Sequence, residues 1–176
     1  MKCIKTNFEG LFLIKNITYT DKRGYFKEIY RENKINTKLP FQVMSFSKKY
    51  VIRGLHVQTT KSQGKYVSVI KGKIFDVAID LRRKSKTFGK FFSYTLSEKN
   101  KTSIFIPPGF AHGFQALDKE NFVIYGCTEY RDQKSEVSIN PNDKILKIKW
   151  PLKNKILSDK DNNAISFFDF SNTLIK

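Results

Sequence analysis

The 176-residue chain is short of most features that announce a function by themselves. Its two cysteines, Cys3 and Cys127, have no metal-ligand spacing and make a weak case for a disulfide. A reduced, cytoplasmic setting is the simple expectation. Long apolar runs are missing, because Glu9 and Lys15 bracket only a short one, so neither a secretory signal nor a membrane span is read. There is no glycine-rich dinucleotide fingerprint, no internal repeat, no low-complexity stretch and no linker. One domain, 1–176, is expected, and the 40% hydrophobic content with 16 Phe is enough to build its core.

Acidic residues are also scarce, 16 against 33 Lys and Arg, which leaves a formal charge of +17. Such an excess asks for an anionic partner. The cations are scattered, with runs no denser than Lys48-Lys49 and Arg82-Arg83-Lys84. No basic helix or arm is available for a nucleic-acid groove. Neither nucleic acid nor membrane is therefore expected as a partner, and an anionic small substrate is left.

What the chain has in quantity is strand signal. Lys73–Leu81 alternates with a period of two, Phe75, Val77, Ile79 and Leu81 on one face and Asp76, Ala78 and Asp80 on the other. Lys65–Ile70 reads as a strand joined to it by a hairpin at Lys71-Gly72-Lys73. Leu11–Ile14, Tyr25–Tyr30, Gln42–Phe46, Arg53–Gln58, Phe91–Leu96, Ser103–Ile106, Phe122–Tyr130 and Ile145–Ile148 are further strand candidates. Short helices are expected at Glu32–Thr37 and in the last dozen residues. Many short strands separated by Gly, Pro, Asn and Lys turns predict an all-β closed barrel or jelly roll with a few short helices.

Histidine is limited to His56 and His112. The first sits in Arg53-Gly54-Leu55-His56-Val57-Gln58, the second after a turn in Pro107-Pro108-Gly109-Phe110-Ala111-His112-Gly113. That Pro-x-Gly-x-x-His segment resembles the second motif of cupins. The His-x-His pair of cupin metal sites is not there, so no metal is expected without further Asp, Glu or Cys ligands. Arg53, Lys65 and Tyr125 complete a different set. A neutral His accepts a proton, a Tyr gives one, and cations hold a phosphate or an enolate oxygen. These are parts for proton abstraction beside a carbonyl.

Taken together, six segments resemble the dTDP-4-dehydrorhamnose 3,5-epimerase family. They are Asp21–Glu28, Arg53–His56, Gln63–Lys65, Phe75–Arg82, Ile106–Phe114 and Ile156–Asp161, in family order across almost the whole chain. The resemblance implies a homodimeric cupin-type jelly roll that needs no cofactor and acts on a nucleotide-diphosphate sugar. Its product would serve deoxysugar synthesis for surface polysaccharide. It implies His56 as general base, Tyr125 as general acid, Asp161 as the partner that orients His56, and Lys65 at the C4 keto oxygen. Asp76 would support the base from the barrel interior. Arg23, Glu28, Arg53, His112, Glu136 and Lys160 match substrate-contact positions.

Three stretches depart from the family pattern. Phe41–Ser47 lacks the Asn of a Gln-x-Asn element, Tyr125 is followed by Gly126 where Lys is common, and a double Tyr has become Tyr130-Arg131. The activity implied is inversion of C3, C5 or both in a 4-keto-6-deoxy sugar. A keto-isomerase of nucleotide sugars, a silent sugar-binding cupin and a metal-dependent cupin oxygenase are the alternatives.

Overall fold

The computed structural model describes residues 1–173. Two antiparallel sheets account for most of it. The first has six strands: β1 (Lys2–Lys5), β2 (Phe12–Lys15), β5 (Phe41–Lys48), β7 (Lys65–Lys71), β10 (Thr102–Ile106) and β12 (Glu120–Cys127), in the order β1-β2-β10-β7-β12-β5. The second has five: β6 (Ile52–Gln58), β8 (Lys73–Asp80), β9 (Phe91–Ser97), β11 (Phe110–Ala116) and β13 (Glu136–Ser138), in the order β13-β6-β11-β8-β9. A separate hairpin is made by β3 (Thr18–Asp21) and β4 (Gly24–Lys27). The helices are short: α1 (Glu32–Ile35), α2 (Asp159–Asn162) and α3 (Phe167–Thr173). Among the described residues no helix is long and apolar enough to cross a membrane.

Period-two alternation explains how two sheets become three apolar layers. The inner layer takes Val67, Val69, Ile104, Ile106 and Val123 from the six-stranded sheet and Ile74, Ala78, Leu96, Phe110 and Phe114 from the five-stranded one. On the outer side of the five-stranded sheet, Leu55, Val57, Val77 and Ile79 are covered by Leu146, Phe167 and Phe170 from the C-terminal segment. Outside the six-stranded sheet, Ile14, Tyr66 and Phe105 lie under Ile35. This is the jelly roll that the spacing of the strand signals predicts.

The richer apolar face of β8, with Val77 and Ile79, belongs to the outer layer, while Ile74, Asp76 and Ala78 sit on the interior face. A strand covered on both sides does not reveal which side is the core.

Several boundaries moved. Ile145–Ile148 forms no strand; Leu146 serves instead as an apolar cover. Tyr25–Tyr30 shrinks to β4, and β12 stops at Cys127, three residues before Tyr130. His112 follows a turn at Pro108-Gly109, as expected, and lies on β11, which begins at Phe110 and pairs with β8. The expected C-terminal helix is α3, with residues 174–176 outside the described part.

Candidate active site

The site begins with an irregularity in β6. Arg53 and His56 are three residues apart, and in a regular strand they would face opposite ways. Here β11 pairs His112 with His56 and Phe114 with Arg53, so three steps on β6 oppose two on β11. That is a β-bulge, and it turns both side chains into one cavity. Two glycines permit it. Gly54 has φ +122, and a Cβ there would lie 2.5 Å from the Cα of Gly113. A Cβ on Gly113 would in turn lie 2.7 Å from the Arg53 carbonyl oxygen. The backbones of β6 and β11 touch where any side chain would force them apart.

The chain then returns to brace β6 from outside the sheet. Ile156 forms a bridge with Val51, and the Ile52 N–H donates to the Ile156 carbonyl at 2.9 Å. Just beyond, Ser158 caps α2 by accepting from the Asp161 N–H at 3.2 Å. Asp161 is thereby held with its Oδ1 2.6 Å from His56 Nε2 and its Oδ2 3.3 Å from the Gly54 N–H. Burial, the largest influence on this carboxyl, pushes its pKa up, but the His56 hydrogen bond and charge and the Gly54 N–H outweigh it and hold it below the ordinary value. An ionised Asp161 only accepts, so His56 Nε2 carries the proton and Nδ1 offers its lone pair.

The facing wall comes from the six-stranded sheet. Tyr125 on β12 and Ser45 on the neighbouring β5 share a hydrogen bond of 3.0 Å between their hydroxyl oxygens. Burial, reinforced by the charge of Asp76, pushes the Tyr125 phenol well above its ordinary pKa and keeps it protonated. Lys65 on β7 also lines the cavity, and burial lowers its pKa against the pull of the Cys127, Glu136 and Asp76 charges. Phe41, Val43 and Ser45 alternate along β5 and complete this wall. The cavity measures about 620 Å³, a size suited to a small organic ligand.

At the rim, Glu136 lies between two cations. Arg131 Nε donates to its Oε2 at 2.9 Å, and Lys160 Nζ donates to its Oε1. Burial pushes this carboxyl up, yet the hydrogen bonds from Arg131 and Lys160 prevail and bring it down to about 2. It stays an anion at any physiological pH.

Of the residues singled out from the sequence, His56, Tyr125, Asp161, Lys65, Arg53, His112, Glu136 and Lys160 line this one cavity. Three others are placed differently. Asp76 does not support His56: its Oδ2 lies 2.8 Å from His112 Nε2, because β11 runs between β8 and β6 and interposes His112. Arg23 and Glu28 stay away from the cavity of their own chain. Arg23 pairs with Asp21 at the tip of the β3–β4 hairpin, and Glu28 pairs with Arg31 in a shallow groove with Phe26, Gln42 and Ile124. The hairpin hydrogen-bonds to neither large sheet, so family order along the chain did not reveal its distance from His56.

Ser45, Phe41, Val43 and Arg131 were missed as lining residues. The first three share a strand face and were within reach of period-two reasoning. Arg131 stands out in the sequence only as a departure from the family pattern. Among the described residues, no group of three His, Cys, Asp or Glu side chains converges as a metal-ligand set.

A double-sheet jelly roll with a histidine–carboxylate pair and a buried tyrosine facing one interior cavity defines a cupin-type protein equipped for proton transfer. Comparison with known proteins narrows this. Residues 5–169 match the family model described as dTDP-4-dehydrorhamnose 3,5-epimerase. The chain is 44% identical over 168 residues to the dTDP-4-dehydrorhamnose 3,5-epimerase of Methanothermobacter thermautotrophicus, covering 91% of each protein. A dTDP-6-deoxy-D-glucose-3,5-epimerase from Legionella pneumophila, solved with dTDP-4-keto-L-rhamnose, superposes with a TM-score of 0.90 at 40% identity, over 94% of this chain and 92% of the other. A 4-keto-6-deoxy sugar epimerase from Streptomyces spheroides superposes with a TM-score of 0.94 at 28% identity, over 99% and 92%. The chain belongs to the dTDP-4-dehydrorhamnose 3,5-epimerase family.

Proposed function

We propose that this chain, acting as a single domain, inverts C3, C5 or both in a dTDP-linked 4-keto-6-deoxy sugar. The observation that carries the reading is the opposition of base and acid. His56 stands on the five-stranded sheet and Tyr125 on the six-stranded sheet, with one cavity between them. A sugar ring lying in that cavity presents one face to each.

A proton on carbon next to a ketone becomes acidic when the enolate oxygen is stabilised. His56 Nδ1 takes that proton while Nε2–H remains on Asp161, which favours the imidazolium that results. Lys65 faces the C4 oxygen and offsets the charge gathering there. Tyr125 returns a proton from the opposite side, and the centre is inverted. Atoms balance without a redox cofactor, because one proton leaves and one arrives. Arg53 and Lys160 at the rim hold the nucleotide diphosphate, and His112, oriented by Asp76, contacts the sugar. The cytoplasm, where nucleotide sugars for surface polysaccharide are made, is the proposed setting.

Arg23 and Glu28 acquire a role if the protein is a homodimer. Tyr19 and Phe26 on the same hairpin are 60% and 68% exposed, more than an isolated surface requires. The hairpin of one copy would lie against the second copy and carry Arg23 to its cavity. Light scattering behind size exclusion should then give twice the chain mass; a monomer at micromolar concentration would remove this part.

The decisive test is solvent deuterium incorporation into dTDP-4-keto-6-deoxyglucose in D2O, read by NMR and mass spectrometry. Label at C3 and C5 supports a double epimerase, and label at one supports a single-centre enzyme. Absence of label with dTDP-, GDP- and UDP-linked 4-keto sugars alike would sink the reading.

A further inference from the structure

Arg131 stands where the family pattern has the second of two tyrosines, so no role carries over to it by resemblance. We infer that Arg131 is a specificity-determining residue, a diphosphate clamp at the cavity rim, an inference that rests on the nucleotide-sugar reading above.

The geometry supplies the argument. Arg131 lines the cavity together with Glu136 and Lys160. Its side chain is 52% exposed and that of Lys160 49%, whereas Glu136 is only 11% exposed. The carboxylate is thus the buried anchor, and the two cations are the open ends. Arg131 places one edge of its guanidinium on that anchor, Nε at 2.9 Å from Oε2 and Nη2 at 3.5 Å from Oε1. Among the described residues, Nη1 and the outer hydrogen of Nη2 have no protein partner. They form a fork whose direction is fixed before any ligand arrives, and a pre-oriented fork suits two phosphate oxygens better than a free lysine does.

Arg53, which also lines the cavity, shows the same design. Its Nε donates to Ser47 Oγ and its Nη2 to the Phe46 carbonyl, both at 2.9 Å. Arg53, Arg131 and Lys160 against Glu136 leave two positive charges at the rim. A nucleoside diphosphate esterified to a sugar carries two negative charges. The reactive groups His56, Tyr125 and Lys65 lie deeper, so a sugar placed among them brings its diphosphate out to these cations. A tyrosine at position 131 would offer one neutral hydroxyl in place of a charged fork.

The alternative is that Arg131 only holds Glu136 and the loop around it. Binding of inorganic pyrophosphate, dTDP and thymidine to purified protein separates the two, measured by calorimetry on wild type, Arg131→Gln, Arg131→Lys and the remote charge control Lys99→Gln. The clamp predicts about tenfold weaker binding of pyrophosphate and dTDP to Arg131→Gln, with thymidine unchanged and partial recovery in Arg131→Lys. With the sugar nucleotide, KM should rise by a similar factor while kcat stays within about threefold. Equal weakening of thymidine and dTDP, or pyrophosphate affinity matching that of Lys99→Gln, would overturn the inference. Pyrophosphate binding is independent of turnover, so the clamp is decided even if no 4-keto sugar proves to be a substrate.

Discussion

Two histidine–carboxylate pairs, each with its imidazole lining the cavity, are chemically alike and structurally unlike. His56–Asp161 joins a strand to the cap of α2, and 28% of the His56 side chain is exposed. His112–Asp76 joins two adjacent strands, with side-chain exposures of 5% and 0%. The open pair leaves its imidazole accessible to a ligand in the cavity, with Asp161 held behind it on a short helix. The closed pair is built into the sheet itself and holds the interior wall, including Tyr125, whose ring centroid lies 6.2 Å from that of His112. Under the proposed assignment, access suits His56 to act as the base, while enclosure fixes the one edge of His112 that the sugar meets.

That contrast can be broken by substitution. His56→Ala should lower epimerisation by at least ~10²-fold with little change in melting temperature, and Tyr125→Phe should lose about as much. Near-normal turnover in either variant would end the acid–base assignment. Asp161→Asn should cost roughly ten- to a hundredfold and extend the remaining activity to lower pH, because the imidazolium loses its anionic partner. A pH profile superimposable on wild type would take Asp161 out of the pair. For His112→Ala the expected order is reversed. Turnover should fall by only about tenfold, while removal of one member of a buried pair destabilises the fold by about 3 kcal/mol or more. Should this variant melt normally and yet be as dead as His56→Ala, exposure would be the wrong criterion for telling the pairs apart.

The smallest effect concerns acid stability. Glu136 is held at about 2 in the folded chain, below its ordinary 4.5, and Asp161 is also lowered. Groups whose folded pKa is depressed stabilise the fold above their unfolded pKa and lose that contribution as pH falls through the folded value. Thermal stability should therefore be level down to about pH 5 and decline toward pH 2. Glu136→Gln should flatten part of the decline, and an unchanged slope would show that the rim cations do not stabilise this carboxylate.

Much of this was legible in the residues. Nine of the ten expected strand segments fall within or overlap observed strands, because alternation with a period of two is a local property. His56, Tyr125, Lys65 and Asp161 were legible as a set through their flanking motifs. The failures share a cause. Ile145–Ile148 has strand composition but finds no strand to pair with, and its Leu146 joins Phe167 and Phe170 as cover over the five-stranded sheet. Composition reports what a segment could pair with, and pairing itself is a matter of what lies next to it.

By itself the sequence determined the jelly-roll class, the scarcity of histidine that singles out two residues, and the membership of His56, Tyr125 and Lys65 in one family pattern. Family resemblance already pointed to the Asp161 partner of His56, but the remaining neighbours were decided by tertiary structure. The Gly54–Gly113 contact creates the bulge that turns Arg53 and His56 to the same side, the strand order hands Asp76 to His112, and the separate hairpin keeps Arg23 and Glu28 away. The physical reason is that side-chain direction follows from local spacing only while a strand is regular. At a bulge, across a sheet or on a detached hairpin, direction and neighbour are set by backbone contacts between residues distant in the chain.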